Sequence, residues 1–222
     1  MVTIIKVNEP PPPQLASRPS GMVSLQTAIE GVPQVYVEGG ALAVIQRHIG
    51  WGSVTKENVV EQGGLLIGQV YRDEVTDLLF GVVEHALPAR ASHSSSIAID
   101  MDHSTWADLY RRFDELQPAP GDMPLRILGW YHTHPNELAV FMSGTDRRTQ
   151  ADFFSGPEHF AFVFNPHRLL WKVFQGADCI ECAAVAFHPP ETSERHRLAE
   201  TPGSGRQDEP SKASDEPNAV TP

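Results

Sequence analysis

Gly129-Trp130-Tyr131-His132-Thr133-His134-Pro135 is the stretch that decides the reading of this 222-residue chain. With the apolar residues just before it, it predicts a strand over 125–132. Side chains alternate along a strand, so His132 and His134 point to the same side. Pro135 stops the strand and turns the chain away. Neutral imidazole is a common zinc ligand, but two ligands do not make a site. Downstream, Ser143-Gly144-Thr145-Asp146 sets a carboxylate near a predicted helix start over 144–154. His132, His134 and Asp146 would give three protein ligands and leave a fourth position for water, the arrangement of a catalytic zinc site. Asp146 also fits a capping box with Ser143, and the two roles can coexist at a helix N-terminus. A zinc-bound water needs a base. Val60-Glu61-Gln62-Gly63-Gly64-Leu65-Leu66-Ile67-Gly68 supplies a carboxylate just before a glycine-led apolar strand. Periodicity alone does not bring Glu61 to the histidines.

Outward from this centre the pattern alternates. Strands are expected at 34–38, 63–71, 76–86, 97–100, 160–165, 169–175 and 182–188. The second and third pair across Arg72-Asp73-Glu74, and a hairpin turns at Pro166-His167-Arg168. Leu42, Ile45 and Ile49 recur at helical spacing over 40–49. Trp106, Leu109, Tyr110 and Phe113 form one face of a helix over 103–116. The expected fold class is α/β of the α+β type, with a mixed, largely antiparallel sheet flanked by helices.

The ends differ from this body. Residues 1–33 hold a strand candidate at 3–7 and an extended proline segment from Pro10 to Pro19. Residues 189–222 contain no Phe, Tyr or Trp and read as a disordered, acidic, proline-rich tail. The folded domain is expected at 34–188.

Composition excludes several classes. The chain carries 17 basic and 28 acidic residues, a net charge of −11, which argues against a non-specific nucleic-acid binder. No apolar run approaches the ~18 residues of a membrane span. The N-terminal residues lack the basic region of a signal peptide. Two cysteines exclude a disulfide scaffold. A soluble, cytoplasmic protein with one main domain is expected.

The three blocks 61–68, 129–135 and 143–146, in this order and on these expected elements, resemble the motifs of the JAMM (MPN+) metalloprotease family. The combination is specific where each block alone is weak, and the resemblance covers about 35–175. It implies an MPN/cytidine-deaminase-like core. It implies one Zn²⁺ per chain held by His132, His134 and Asp146. Glu61 would be the general base and then the proton donor, and Ser143 would hydrogen-bond the oxyanion or the bound water. The activity implied is hydrolysis after the C-terminal glycine of a ubiquitin-like protein, in maturation or deconjugation, with no covalent enzyme intermediate. Ubiquitin-like conjugates are the implied partners. For a small prokaryotic member, which the minimal chain suggests, activating and conjugating enzymes would join them. Two alternatives stand beside this reading: a peptidase for sulfur-carrier or small peptide conjugates, and a non-catalytic MPN-type scaffold subunit.

One departure concerns the loop at 135–142, which is one residue longer than the family's usual spacing. Its Leu138, Val140 and Phe141 fit either core or a substrate-facing surface. Cys179-Ile180-Glu181-Cys182 has no second pair and opens no helix, so it reads as structural. The polar link at 87–96 fits either a plain loop or, by the resemblance, a holder of the ubiquitin-like tail. Trp130 is expected to pack beneath the metal-bearing strand.

Overall fold

The computed structural model describes residues 11–54, 61–90 and 103–188. The expected strands at 3–7 and 97–100, the tail at 189–222 and residues 91–96 of the polar link lie outside them. The elements run β1 (Gln14–Ala16), β2 (Met22–Gln26), β3 (Val35–Glu38), α1 (Gly39–Ile49), β4 (Gly63–Asp73), β5 (Leu79–Pro88) and α2 (His103–Leu116). They continue β6 (Arg126–Thr133), α3 (Gly144–Phe153), β7 (Phe160–Asn165), β8 (Leu170–Gln175), β9 (Ile180–Cys182) and β10 (Ala184–His188).

The strands form a single mixed sheet in the order β2-β10-β3-β5-β4-β6-β7-β8-β9, with β1 added to β4. Pairs β4–β5, β4–β6, β7–β8, β8–β9 and β10–β2 are antiparallel. The remaining four are parallel. The fold is thus the expected mixed, mostly antiparallel sheet with helices on its faces. Among the described residues no helix is long and apolar enough to cross a membrane.

Three local differences from the sequence reading have physical causes. The sheet begins before residue 34. β1 pairs with Tyr71, Arg72 and Asp73, the part of β4 that β6 does not reach, and β2 covers the outer edge of β10. The Arg18 guanidinium fastens this segment by pairing with Asp73, donating to the Pro33 carbonyl at 2.5 Å and lying 5.0 Å from the Phe80 ring centre. The β4–β5 turn is wider than Arg72-Asp73-Glu74, because Asp73 accepts the Val75 N–H at 2.8 Å and Asp77 turns through φ 60°. The expected strand at 182–188 is divided at Ala183, where the chain leaves β8 and joins β3.

Two apolar layers cover the two faces of the sheet. Ala41, Leu42, Ile45 and Ile49 recur on one side of α1 and are buried against Leu66, Leu128, Tyr131 and Phe164. The helix stops where Gly50 takes φ 63°; the Gly50 and Trp51 N–H groups close back on Arg47 and Gln46, a Schellman end. On the other face, Leu109 of α2 is fully buried with Leu65, Trp130 and Phe154. Trp106 and Phe113 pack against that layer, while Tyr110 is half exposed.

A bulge in β6 decides which layer the histidines join. Leu66 pairs with Gly129 and Ile67 with Ile127, so Leu128 is extra. Strict alternation would put residues three apart on opposite faces. Instead Ile127 and Trp130 share the α2 side, and Leu128 and Tyr131 share the α1 side. Gly129 permits this reversal with φ 138°; a Cβ there would lie 1.9 Å from the Phe160 carbonyl oxygen.

Candidate metal centre

Beyond the bulge, Trp130, His132 and His134 share one side of β6, the side that faces α3. The Trp130 ring stacks on His132 with centroids 4.4 Å apart, and its indole N–H donates to Gln150 Oε1 of α3 at 2.8 Å. The expected packing of Trp130 under the metal-bearing strand is therefore direct. His134 leaves β6 with its N–H still donated to the Phe164 carbonyl at 2.8 Å, so the backbone under the second histidine stays tied to β7.

The α3 N-terminus brings the carboxylate. Ser143 Oγ accepts the Asp146 N–H at 3.2 Å, and Asp146 Oδ2 accepts the Ser143 N–H at 2.7 Å, a reciprocal capping box. The same carboxylate reaches both imidazoles. Asp146 Oδ1 lies 3.3 Å from His132 Nε2, Asp146 Oδ2 lies 3.4 Å from His134 Nε2, and the two Nε2 atoms are 3.3 Å apart. All three residues are buried. They form a group able to hold a metal ion among the described residues.

The chemistry of the donor set fits zinc. The Ala139 carbonyl lies 2.8 Å from His134 Nδ1 and can only accept, so Nδ1 carries a proton and Nε2 is the nitrogen left to face Asp146. Nε2 faces the Asp146 carboxylate and a second Nε2, a position filled by a proton or by a metal cation. Zinc donors at ~2.0–2.1 Å stand roughly 3.3–3.4 Å from one another; the two Nε2 atoms are separated by that distance, and each imidazole is that far from one of the two carboxylate oxygens.

Electrostatics divide the group. Burial would raise the Asp146 pKa, but hydrogen bonds from His132, His134 and Ser143 outweigh it and hold the carboxyl well below its ordinary range. Burial pushes His132 down, away from the imidazolium. Burial also opposes the charge on His134, but Asp146 and the Ala139 carbonyl overcome it and push His134 up. Glu61 is pushed up by burial, with His134 pulling it down and Asp146 adding to the rise.

Glu61 reaches this neighbourhood through strand pairing. Gly63 pairs with His132, and Thr133 and Gln62 exchange two bonds of 2.9 Å: the Thr133 N–H to the Gln62 carbonyl and the Gln62 N–H to Thr133 Oγ1. The antiparallel register then sets Glu61 opposite His134. The five residues read from sequence, Glu61, His132, His134, Ser143 and Asp146, thus converge on the end of β6 and the start of α3.

Other readings divide. In the 135–142 loop Val140 is buried, whereas Leu138 and Phe141 are about half exposed; the Phe141 ring stands edge-on to His134 at 5.1 Å. Cys179 and Cys182 are free and buried in layers on opposite faces of the sheet, so they share no site. Burial raises both thiols, Cys182 to about 12. Sequence reasoning missed Ala139, Gln150 and Asn165: Gln150 and Asn165 meet partners 20 and 27–29 residues earlier, the Ala139 carbonyl meets His134 through the path of an irregular loop, and none carries a local motif.

Comparison with known proteins agrees with this geometry. The family described as JAB1/Mov34/MPN/PAD-1 ubiquitin protease matches residues 30–155, more than half of the chain. The Lys-63-specific deubiquitinase BRCC36 of Homo sapiens is 28% identical over 141 residues, covering 55% of this chain and 43% of that protein. Its counterpart in Pongo abelii is 28% identical over 141 residues, covering 55% of each. That of Xenopus tropicalis is 29% identical over 120 residues, covering 54% of this chain and 41% of the relative. The chain spans about half the length of the curated relatives it matches.

Proposed function

This chain belongs to the JAB1/Mov34/MPN/PAD-1 ubiquitin protease family, and we propose that it is a zinc-dependent isopeptidase acting after the C-terminal glycine of a ubiquitin-like protein. The observation that carries the reading is the buried triangle of His132 Nε2, His134 Nε2 and the Asp146 carboxylate, with edges of 3.3–3.4 Å. Those three residues would hold zinc, which when bound supplies a Lewis acid and lowers the pKa of a water toward neutrality.

The chain's own residues do the rest. Glu61 takes the proton of the attacking water on its carboxylate and returns it to the departing lysine amine. Its position opposite His134 and its raised pKa suit both halves of that task. Ser143 Oγ accepts the Asp146 N–H, and its hydroxyl proton donates to the carbonyl oxygen as negative charge develops. Asp146 stays ionised, and the Ala139 carbonyl holds His134 in the ligating tautomer.

Glycine-tailed ubiquitin-like fusions and lysine-63-linked ubiquitin chains are the substrates to try, the second because the relatives are named for that linkage. Zinc content is measured on the wild type, His132→Ala and Glu61→Ala, and hydrolysis on the same three. The expected result is one zinc per chain in the wild type and in Glu61→Ala, and none in His132→Ala. Cleavage should fall on the order of 10²–10⁴-fold in Glu61→Ala. Stoichiometric zinc without hydrolysis of any amide would favour the scaffold reading; no zinc would end the catalytic one.

A further inference from the structure

The 135–142 loop leaves the candidate centre without a helix or strand of its own, yet it must deliver the Ala139 carbonyl to His134. Its hold comes from the β7–β8 hairpin. Asn165, the last residue of β7, has no solvent exposure. Its Nδ2 donates to the Asn136 and Leu138 carbonyls, each at 2.9 Å. Its Oδ1 accepts the His167 N–H at 3.0 Å and the Arg168 N–H at 2.9 Å. A side-chain amide offers two donors and two acceptor positions, and all four are used. His167 adds another tie, its Nδ1 accepting the Asn136 N–H at 3.0 Å. Asn136 sits at φ 57°, a conformation asparagine tolerates better than most residues.

Apolar burial does not hold this half of the loop, since Leu138 is about half exposed. The grip is polar, and it ends one residue before Ala139. We infer that Asn165 is a positioning residue for the metal centre. It fixes the backbone at 136–138 so that the next carbonyl accepts the His134 Nδ1–H and keeps Nε2 aimed at the ion. The inference rests on the zinc reading above and names what keeps one ligand in register.

Asn165→Asp separates this role from general stability. It preserves size and the two acceptor bonds inside the turn, but sets an oxygen against the Asn136 and Leu138 carbonyls. Zinc affinity is measured by competition with a chelating dye, at a temperature where circular dichroism shows folded protein. The expected loss is about tenfold, the low end of what outer partners of metal ligands contribute. Thr27→Val is the control. It removes a buried hydroxyl bonded to Ala184, far from the centre, and should lower Tm while leaving zinc affinity unchanged.

A second readout uses metal-free protein. Nitrogen-15 NMR should show a protected His134 Nδ1–H in the wild type and an exchange-broadened one in Asn165→Asp. A folded Asn165→Asp with wild-type zinc affinity and an unchanged resonance overturns the inference. Wild-type protein that binds no zinc would sink the metal reading instead, and the imidazole resonance would then decide the role of Asn165 alone. Should Asn165→Asp not fold, His167→Phe removes the ring nitrogen serving Asn136 together with the buried, unpartnered Nε2, and it is expected to move both readouts in the same direction.

Discussion

Glu61 is half-buried beside an ionised Asp146, and burial is the larger reason its proton is held more tightly than in water. A carboxyl whose pKa is raised on folding adds stability only below its unfolded pKa, and that contribution is lost as pH rises through the folded value. At neutral pH the metal-free wild type has therefore lost it. Glu61→Gln cannot ionise, so it should melt higher than wild type at pH 7.5 in chelator, with the difference shrinking toward zero as pH falls below the ordinary glutamate range. Melting curves across that range test this; a constant difference, or a less stable variant, would refute it. Removing the Glu61 carboxylate is thus predicted to cost turnover and, in Glu61→Gln, to stabilise the fold, a trade expected where a site is built for chemistry. The residues of the centre were unequally legible. His132 and His134 follow from alternation, and Asp146 from the cap it shares with Ser143. Glu61 could be found only through the family resemblance, because its meeting with His134 is a matter of register between strands some 70 residues apart, as the Gln62–Thr133 bond shows.

Among the elements, β6 carries the largest consequence in one residue. Gly129→Ala would place a methyl group 1.9 Å from a backbone oxygen of β7 while φ stays at 138°. The clash is with main chain, so no rotamer relieves it. We expect a loss of about 2 kcal/mol or more, read by urea melts, together with weaker zinc binding, because the bulge sets the phase of Trp130, His132 and His134. Wild-type stability would show that the bulge can move. Long periodic elements were legible: α2 spans 103–116 and β7 spans 160–165 as expected. The bulge was not, since an extra residue leaves no mark in local composition. β1 and β2 were hidden for another reason. They are short, proline-flanked stretches that become strands only because β4 and β10 offer open edges. Asn165 read only as the end of a strand, because its partners lie 27 and 29 residues earlier.

For the whole molecule, the centre joins a strand from the middle of the sheet to the start of α3, so a bound ion would tie two elements that otherwise meet through side chains. Any ligand that binds only the folded state adds RT ln(1 + [L]/Kd), ~4 kcal/mol at a thousandfold excess over Kd. For a domain of this size that is on the order of 10 °C in Tm. Zinc should raise the melting temperature by about that amount in wild type and not in His132→Ala; an equal rise in both would place the ion elsewhere. The order of the sheet has a consequence in time. β2 is an edge strand whose partner is β10, so Gln26 waits for Val185; β3 meets β5 much earlier and waits only for its second neighbour, at Ala184. A ribosome adding roughly 5–20 residues per second needs on the order of ten to thirty seconds to cover that interval. During it the nascent chain carries β2 unpaired, while the β4–β5 hairpin and the β4–β6, β1–β4 and β3–β5 pairings can form well before the margin of the sheet closes. Among the described strands, the last to arrive is β10, which enters between two strands made long before it.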